Sequence, residues 1–136
     1  MEPLHLNPLA IAAAAALSFL IGGVWYSPIL FAKRWQRESG LSDERIKNAN
    51  MPMIFGTTFV LNLFAAFILA HVLDTYGEPS LDLSLMIAGG IALGFVVTAI
   101  GVNYLFSRAS LKLFLIDSGY WLLNYLAMGA ILGIMR

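Results

Sequence analysis

Four long apolar runs, separated by three polar connections, take up almost the whole of this chain of 136 residues. A helix that crosses the hydrocarbon layer of a bilayer needs about 20 predominantly apolar residues. By that measure the runs predict membrane spans over about 8–31, 53–73, 83–106 and 111–135. The uncharged stretch from Leu6 to Ala32 gives the first span length to spare. It is expected to stay as a span, because no Lys or Arg precedes it and Glu2 has the wrong sign for the n-region of a signal peptide. The one long connection, Lys33 to Asn50, contains Ser42 followed by Asp43 and Glu44, the pattern of a helix N-cap with acids near the positive end of the helix dipole. A short interfacial helix is expected there. The chain therefore reads as a single all-α domain over residues 1–136, an integral membrane four-helix bundle.

Charge in the connections sets the orientation. The first carries Lys33, Arg34, Arg37, Arg45 and Lys47 and the third carries Arg108 and Lys112, whereas the second carries Asp74, Glu78 and Asp82 without any Lys or Arg. Basic loops stay in the cytoplasm, so the first and third loops are expected inside and both termini outside the cytoplasmic membrane. Only Arg136 disagrees, and a single terminal residue carries little weight.

Composition agrees with a chain whose solvent is lipid. Hydrophobic residues make up 60% and charged residues 12%, against about 25% charged in an ordinary soluble domain. The formal net charge is zero, so the chain has no overall basic field for nucleic acid, and none is expected as a partner. With no cysteine, disulfides, thiolate metal sites and cysteine nucleophiles are excluded. His5 and His71 each stand without a second His or Cys at ligand spacing, so no metal or cofactor is expected.

At the inner end of the first span stands Gly22-Gly23-Val24-Trp25-Tyr26-Ser27-Pro28, followed by Phe31, Trp35 and Gly40. Trp and Tyr at such a place form an aromatic belt at headgroup level, and Pro28 ends or kinks the helix. The sharper reading makes Trp25 and Tyr26 one wall of a pocket. Together with Leu115-Ile116-Asp117-Ser118-Gly119-Tyr120 in the fourth run, the Gly-Val-Trp-Tyr-Ser-Pro string resembles domain-of-unknown-function family 1761. That resemblance covers nearly the whole chain. It implies a small prokaryotic membrane protein with four spans, and it carries no activity.

Few polar residues lie within the runs. Asp117 falls about six residues into the fourth, roughly 9 Å along the helix. A charged side chain at a helix centre costs about 2.5–3.5 kcal/mol on insertion scales, so this carboxyl needs partners. Lys112, five residues earlier, lies off its face. Asn103, Tyr120 and Arg108 are the expected partners. At the helical step Asp117, Trp121, Asn124 and Met128 form one stripe with Tyr120 beside it, and Gly129 and Gly133 fall roughly opposite. In the third run Gly90, Gly94 and Gly101 share a face from which Asn103 points away. The pairs Gly90 with Gly94 and Gly129 with Gly133 are expected to close the outer half of the bundle by helix packing. Asn103, Asp117, Tyr120, Trp25 and Tyr26 would then gather around an inward-opening polar recess, with Asn62 and Asn124 nearer the midplane. For the asparagines, plain interhelical hydrogen bonding of about 0.6 kcal/mol each is the simpler account.

These residues point to a homodimer or homotrimer that moves a small solute or ion, with Asp117 binding a proton or cation. The alternatives are an embedded enzyme or lipid-binding protein, and a scaffold subunit without a ligand. In the first of these the basic loops would hold an anionic head group or cofactor, and Tyr120 or Asp117 would act as acid or base.

Overall fold

The computed structural model describes residues 5–135, so Glu2 and Arg136 lie outside the described residues. All regular elements among these residues are helical: α1 (Pro8–Trp25), α2 (Ala32–Ser39), α3 (Asp43–Lys47), α4 (Met51–Asp74), α5 (Leu81–Ile91), a π-helical stretch (Ala92–Val97), α6 (Thr98–Ser107) and α7 (Leu111–Ile134). The long helices start on side chains that accept from otherwise unpaired N–H groups. Asn7 accepts from Leu9 and Ala10, Asn50 from Met53, Ser80 from Leu83 and Ser110 from Leu113. Pro8 at the first position of α1 loses no hydrogen bond, because the N–H it lacks would have been free anyway.

Among the described residues three helices are long and apolar enough to cross a membrane: α1, α4 and the continuous helix Leu81–Ser107. Four are expected from the apolar runs. The remaining one, α7, has 24 residues, as many as α4, but Asp117, Ser118, Tyr120 and Asn124 dilute its apolar character. Those four side chains are all buried inside the bundle.

α1 stops at Trp25, short of the apolar run that continues to Phe31, because Pro28 has no N–H and disfavours helical backbone before it. The chain turns through Ser27 to Phe31, and the Phe31 N–H donates to the Trp25 carbonyl at 3.1 Å. The first connection then holds two short helices where one is expected. α2 ends on Gly40 in the left-handed conformation (φ +76°), which glycine adopts without penalty. α3 begins on Ser42, whose Oγ accepts from the Arg45 N–H at 3.2 Å as its sequence pattern requires.

α1 and α7 lie side by side and antiparallel in the middle, with α4 packed on α1 and the α5–α6 helix packed on α7. Toward the termini the interior is apolar and built from small residues, Ala10, Ala14, Ala66, Ala70 and Ala88, with Leu69, Met128 and Leu132 filling the space between. Here α7 and α5 touch backbone to backbone. A Cβ on Gly129 would stand 2.6 Å from Ala88 Cβ and 3.1 Å from the Ser84 carbonyl, and one on Gly133 would stand 3.0 Å from Ser84 Oγ. The surface opposite Gly129 and Gly133 is therefore Ser84 and Ala88. Gly90 and Gly94 do not take part: both are exposed, with nothing within 4 Å of a built Cβ.

The π-helical stretch changes which face of this helix turns inward beyond Ala92. Up to it, the buried positions Ser84, Ala88 and Ala92 follow the α-helical step. Continuing at the same step would turn Phe95, Ala99, Asn103 and Phe106 inward, yet all four are exposed. Val96, Ile100, Gly101 and Tyr104 are half-buried instead. A π turn takes up an extra residue, and the inward stripe moves on by one position.

Gly129→Ala should destabilise the fold by about 1–3 kcal/mol, since the new methyl meets backbone that cannot yield cheaply. Gly90→Ala should be neutral or stabilising by up to about 1 kcal/mol. Reversible unfolding in mixed micelles measures both, and equal effects would show that the α5–α7 contact is not as close as described.

Candidate functional site

The two motifs singled out in the sequence dock on each other. With α1 and α7 antiparallel, Gly22 lies against Tyr120, where an added Cβ would stand 3.2 Å from the phenol oxygen. Gly119 lies against Trp25 in the same way, at 3.0 Å from the indole ring. Each glycine is a notch for the other helix's aromatic ring. The Trp25 indole N–H donates to the Ile116 carbonyl at 2.9 Å, and one residue further on Tyr26 reaches Asp117.

Asp117 is 8% exposed, and both of its oxygens are occupied. Tyr26 donates its hydroxyl to Oδ1 at 2.6 Å, and Tyr104 donates to Oδ2. One carboxyl thereby ties together α7, the end of α1 and α6. A carboxylate accepting from two hydroxyls is stabilised without a counter-charge. The cluster is closed by rings: Tyr26 packs edge-on against Tyr120 (centroids 5.4 Å apart) and against Trp35 of α2 (6.0 Å), and Trp25 lies over Phe31 (4.8 Å). Around Asp117 the single chain presents a packed aromatic cluster, where an open recess was expected.

The other residues expected at the site divide into three groups. Tyr26, Trp25 and Tyr120 surround Asp117 as described. Asn62 of α4 and Asn124 of α7 are buried nearer the middle of the helices, where Asn124 Nδ2 donates to Asn62 Oδ1 at 3.3 Å. The register that sets Gly22 beside Tyr120 brings Ser18, one turn back along α1, level with Asn124, one turn on along α7. Ser18 Oγ and Asn124 Oδ1 are buried and have no hydrogen-bond partner among the described residues. Asn103 and Arg108 are not at the site. Asn103 is exposed, and Arg108, also exposed, closes the turn between α6 and α7 in the left-handed conformation (φ +61°). Among the described residues no group of three or more His, Cys, Asp or Glu could hold a metal ion.

The model of a family described as Protein of unknown function (DUF1761) matches residues 9–133. The chain belongs to this family. The match takes in both docked motifs and all of α4 to α6 between them. No curated protein and no solved structure matches the chain.

In this DUF1761 chain Tyr104 is the site residue that sequence reasoning missed. Its position, 13 residues before Asp117 and across a tight turn, was the available signal. A uniform α-helical step hides it by turning Asn103 inward in its place.

Tyr26→Phe and Tyr104→Phe each remove a donor to a buried carboxyl and should cost about 1.5–3 kcal/mol of stability. Asn103→Ala should change stability by less than about 0.5 kcal/mol, as surface substitutions do. The ranking is measurable by the same unfolding titration, and an Asn103 variant as damaged as the tyrosine variants would contradict the placement of α6.

Proposed function

We propose that this DUF1761 protein spans the cytoplasmic membrane four times, with both termini outside and the first and third loops in the cytoplasm. In this reading it assembles as a homo-oligomer and moves a proton or small cation by way of Asp117. The fourth span is α7, whose polar residues are turned into the bundle while Leu115, Leu123 and Ile134 face outward. Lipid would therefore meet an apolar surface despite the helix's modest overall hydropathy.

The observation that carries the functional reading is a buried carboxyl held, among the described residues, by two neutral phenol hydroxyls. A carboxylate locked to Arg or Lys must break an ion pair to take up a proton. One held by two hydroxyls has no ion pair to break, and the O–H groups around it can reorient. An intramembrane ionisable group of this kind is a functional group by default. Four helices packed as tightly as these leave little room for a pathway within one chain, which favours a dimer or trimer. Gly90 and Gly94, bare on the outer face of the third span, offer a surface where backbones can approach.

One other reading has a specific observation behind it. The reciprocal notches, Gly22 for Tyr120 and Gly119 for Trp25, stand side by side within one helical turn of the carboxyl. They suit a clasp that fixes α1 to α7 in a scaffold subunit.

The two readings separate in proteoliposomes. For transport, Asp117→Asn folds and assembles like the unaltered protein but loses its flux driven by a pH gradient. Unchanged flux would remove Asp117 from the mechanism, and a variant that fails to assemble favours the clasp. Orientation is tested independently, since the chain has no cysteine of its own. A membrane-impermeant maleimide applied to intact cells should label Glu78→Cys and spare Ser42→Cys, and the reverse pattern would overturn the assigned sidedness.

A further inference from the structure

Outside the Asp117 cluster, cationic side chains converge at one place. A shallow groove where α2 passes into α3 is lined by Lys33, Gln36, Arg37, Gly40, Leu41 and Ser42. Lys33 and Arg37 are four residues apart on one helix face, and both are exposed. Gly40 leaves the floor of the groove open, with nothing within 4 Å of where a Cβ would be. The loop is held in shape by Gln36, whose Nε2 donates to the Leu41 carbonyl at 3.2 Å and to Asp43 Oδ1 at 2.7 Å. The neighbouring acid is therefore already engaged by an amide. Ser42 Oγ accepts from the Arg45 N–H, which leaves its own hydrogen free to donate.

The position of α2 indicates what the groove meets. Trp35 of α2 packs on Tyr26, and Phe31 packs on Trp25, so α2 is pinned at the end of α1 at the level of the aromatic belt. Immediately before it, Ile29 is 85% and Leu30 48% exposed. Two apolar side chains left outward at the end of a membrane helix belong at the boundary between head groups and acyl chains. Lys33 and Arg37 then stand at the depth of lipid phosphates.

We propose that the groove between α2 and α3 is a binding site for the phosphate of an anionic phospholipid, with Lys33 and Arg37 as its cationic ligands and Ser42 as a neutral donor. The exposed Ile29 and Leu30 favour a lipid over a free anion, because a soluble phosphate gains nothing from an apolar shoulder. The site does not depend on the transport reading, since none of its residues touches Asp117.

The test uses the whole protein in detergent, titrated with phosphatidylglycerol, with phosphatidylcholine and with inorganic phosphate alone, and read by native mass spectrometry. Basic residues near a lipid surface contribute enough that losing two should weaken anionic lipid binding by about 30-fold. Lys33→Gln with Arg37→Gln should show that loss for phosphatidylglycerol, while Arg45→Gln with Lys47→Gln, the same change in charge on α3, should show less than about three-fold. All four positions are exposed, so both double variants should elute at the unaltered size. Equal weakening in the two variants would mean diffuse charge attraction and overturn the site. Retained binding in the Lys33 and Arg37 variant would overturn it as well. Inorganic phosphate binding as tightly as phosphatidylglycerol would overturn the assignment to lipid.

Discussion

A carboxyl group taken out of water needs hydrogen-bond donors, and in a chain this apolar they can only come from neighbouring helices. Asp117 draws one hydroxyl from the end of α1 and another from α6, and the approach of α1 to α7 is arranged so that both can arrive. The rings that carry or cover those hydroxyls are large, so helices at ordinary spacing would not admit them. Gly22 and Gly119 supply the space. Placement of a single ionisable side chain thus accounts for two glycines, three tyrosines and a tryptophan that would otherwise look like separate features of composition.

The opposite end of the bundle is assembled on a different principle. There the contacts are alanine, serine and glycine, with backbones close enough that a methyl group on Gly129 has no place to go. Lipid chains are as apolar as leucine, so close packing, rather than removal of surface from water, holds such helices together. The interior is apolar and small-residue toward the termini and aromatic toward the first and third connections. α7 runs through both regions, which is why it is the most polar of the long helices and also among the most buried.

Much of this was legible in the residues. The apolar runs located the long helices, Ser42 marked the start of α3, and the family match agrees with the resemblance carried by the Gly-Val-Trp-Tyr-Ser-Pro and Leu-Ile-Asp-Ser-Gly-Tyr strings. Asp117 stood out because charge is rare inside an apolar run, and Tyr26 because it sits beside Trp25. The pairing of Gly22 with Tyr120 was not legible, since nothing local records which helix a glycine faces. The third helix misled for a definite reason. A constant α-helical step carried on from Ser84, Ala88 and Ala92 points Asn103 inward, whereas six residues wound as a π-helix break that step and bring Tyr104 inward instead, and Gly90 and Gly94 face outward because Ser84 and Ala88 make the contact with α7.

That wide turn bears on how relatives of this chain should be compared. The surplus residue lies between Ala92, the last buried position of the upper stripe, and Val96, the first half-buried position of the lower one. A relative one residue shorter in this interval could run as an uninterrupted α-helix and still present the equivalent of Tyr104 to the equivalent of Asp117. A one-residue gap there would record relief of local strain rather than loss of the tyrosine–carboxyl pair. A gap of the same size between Thr98 and Asp117 would have the opposite meaning.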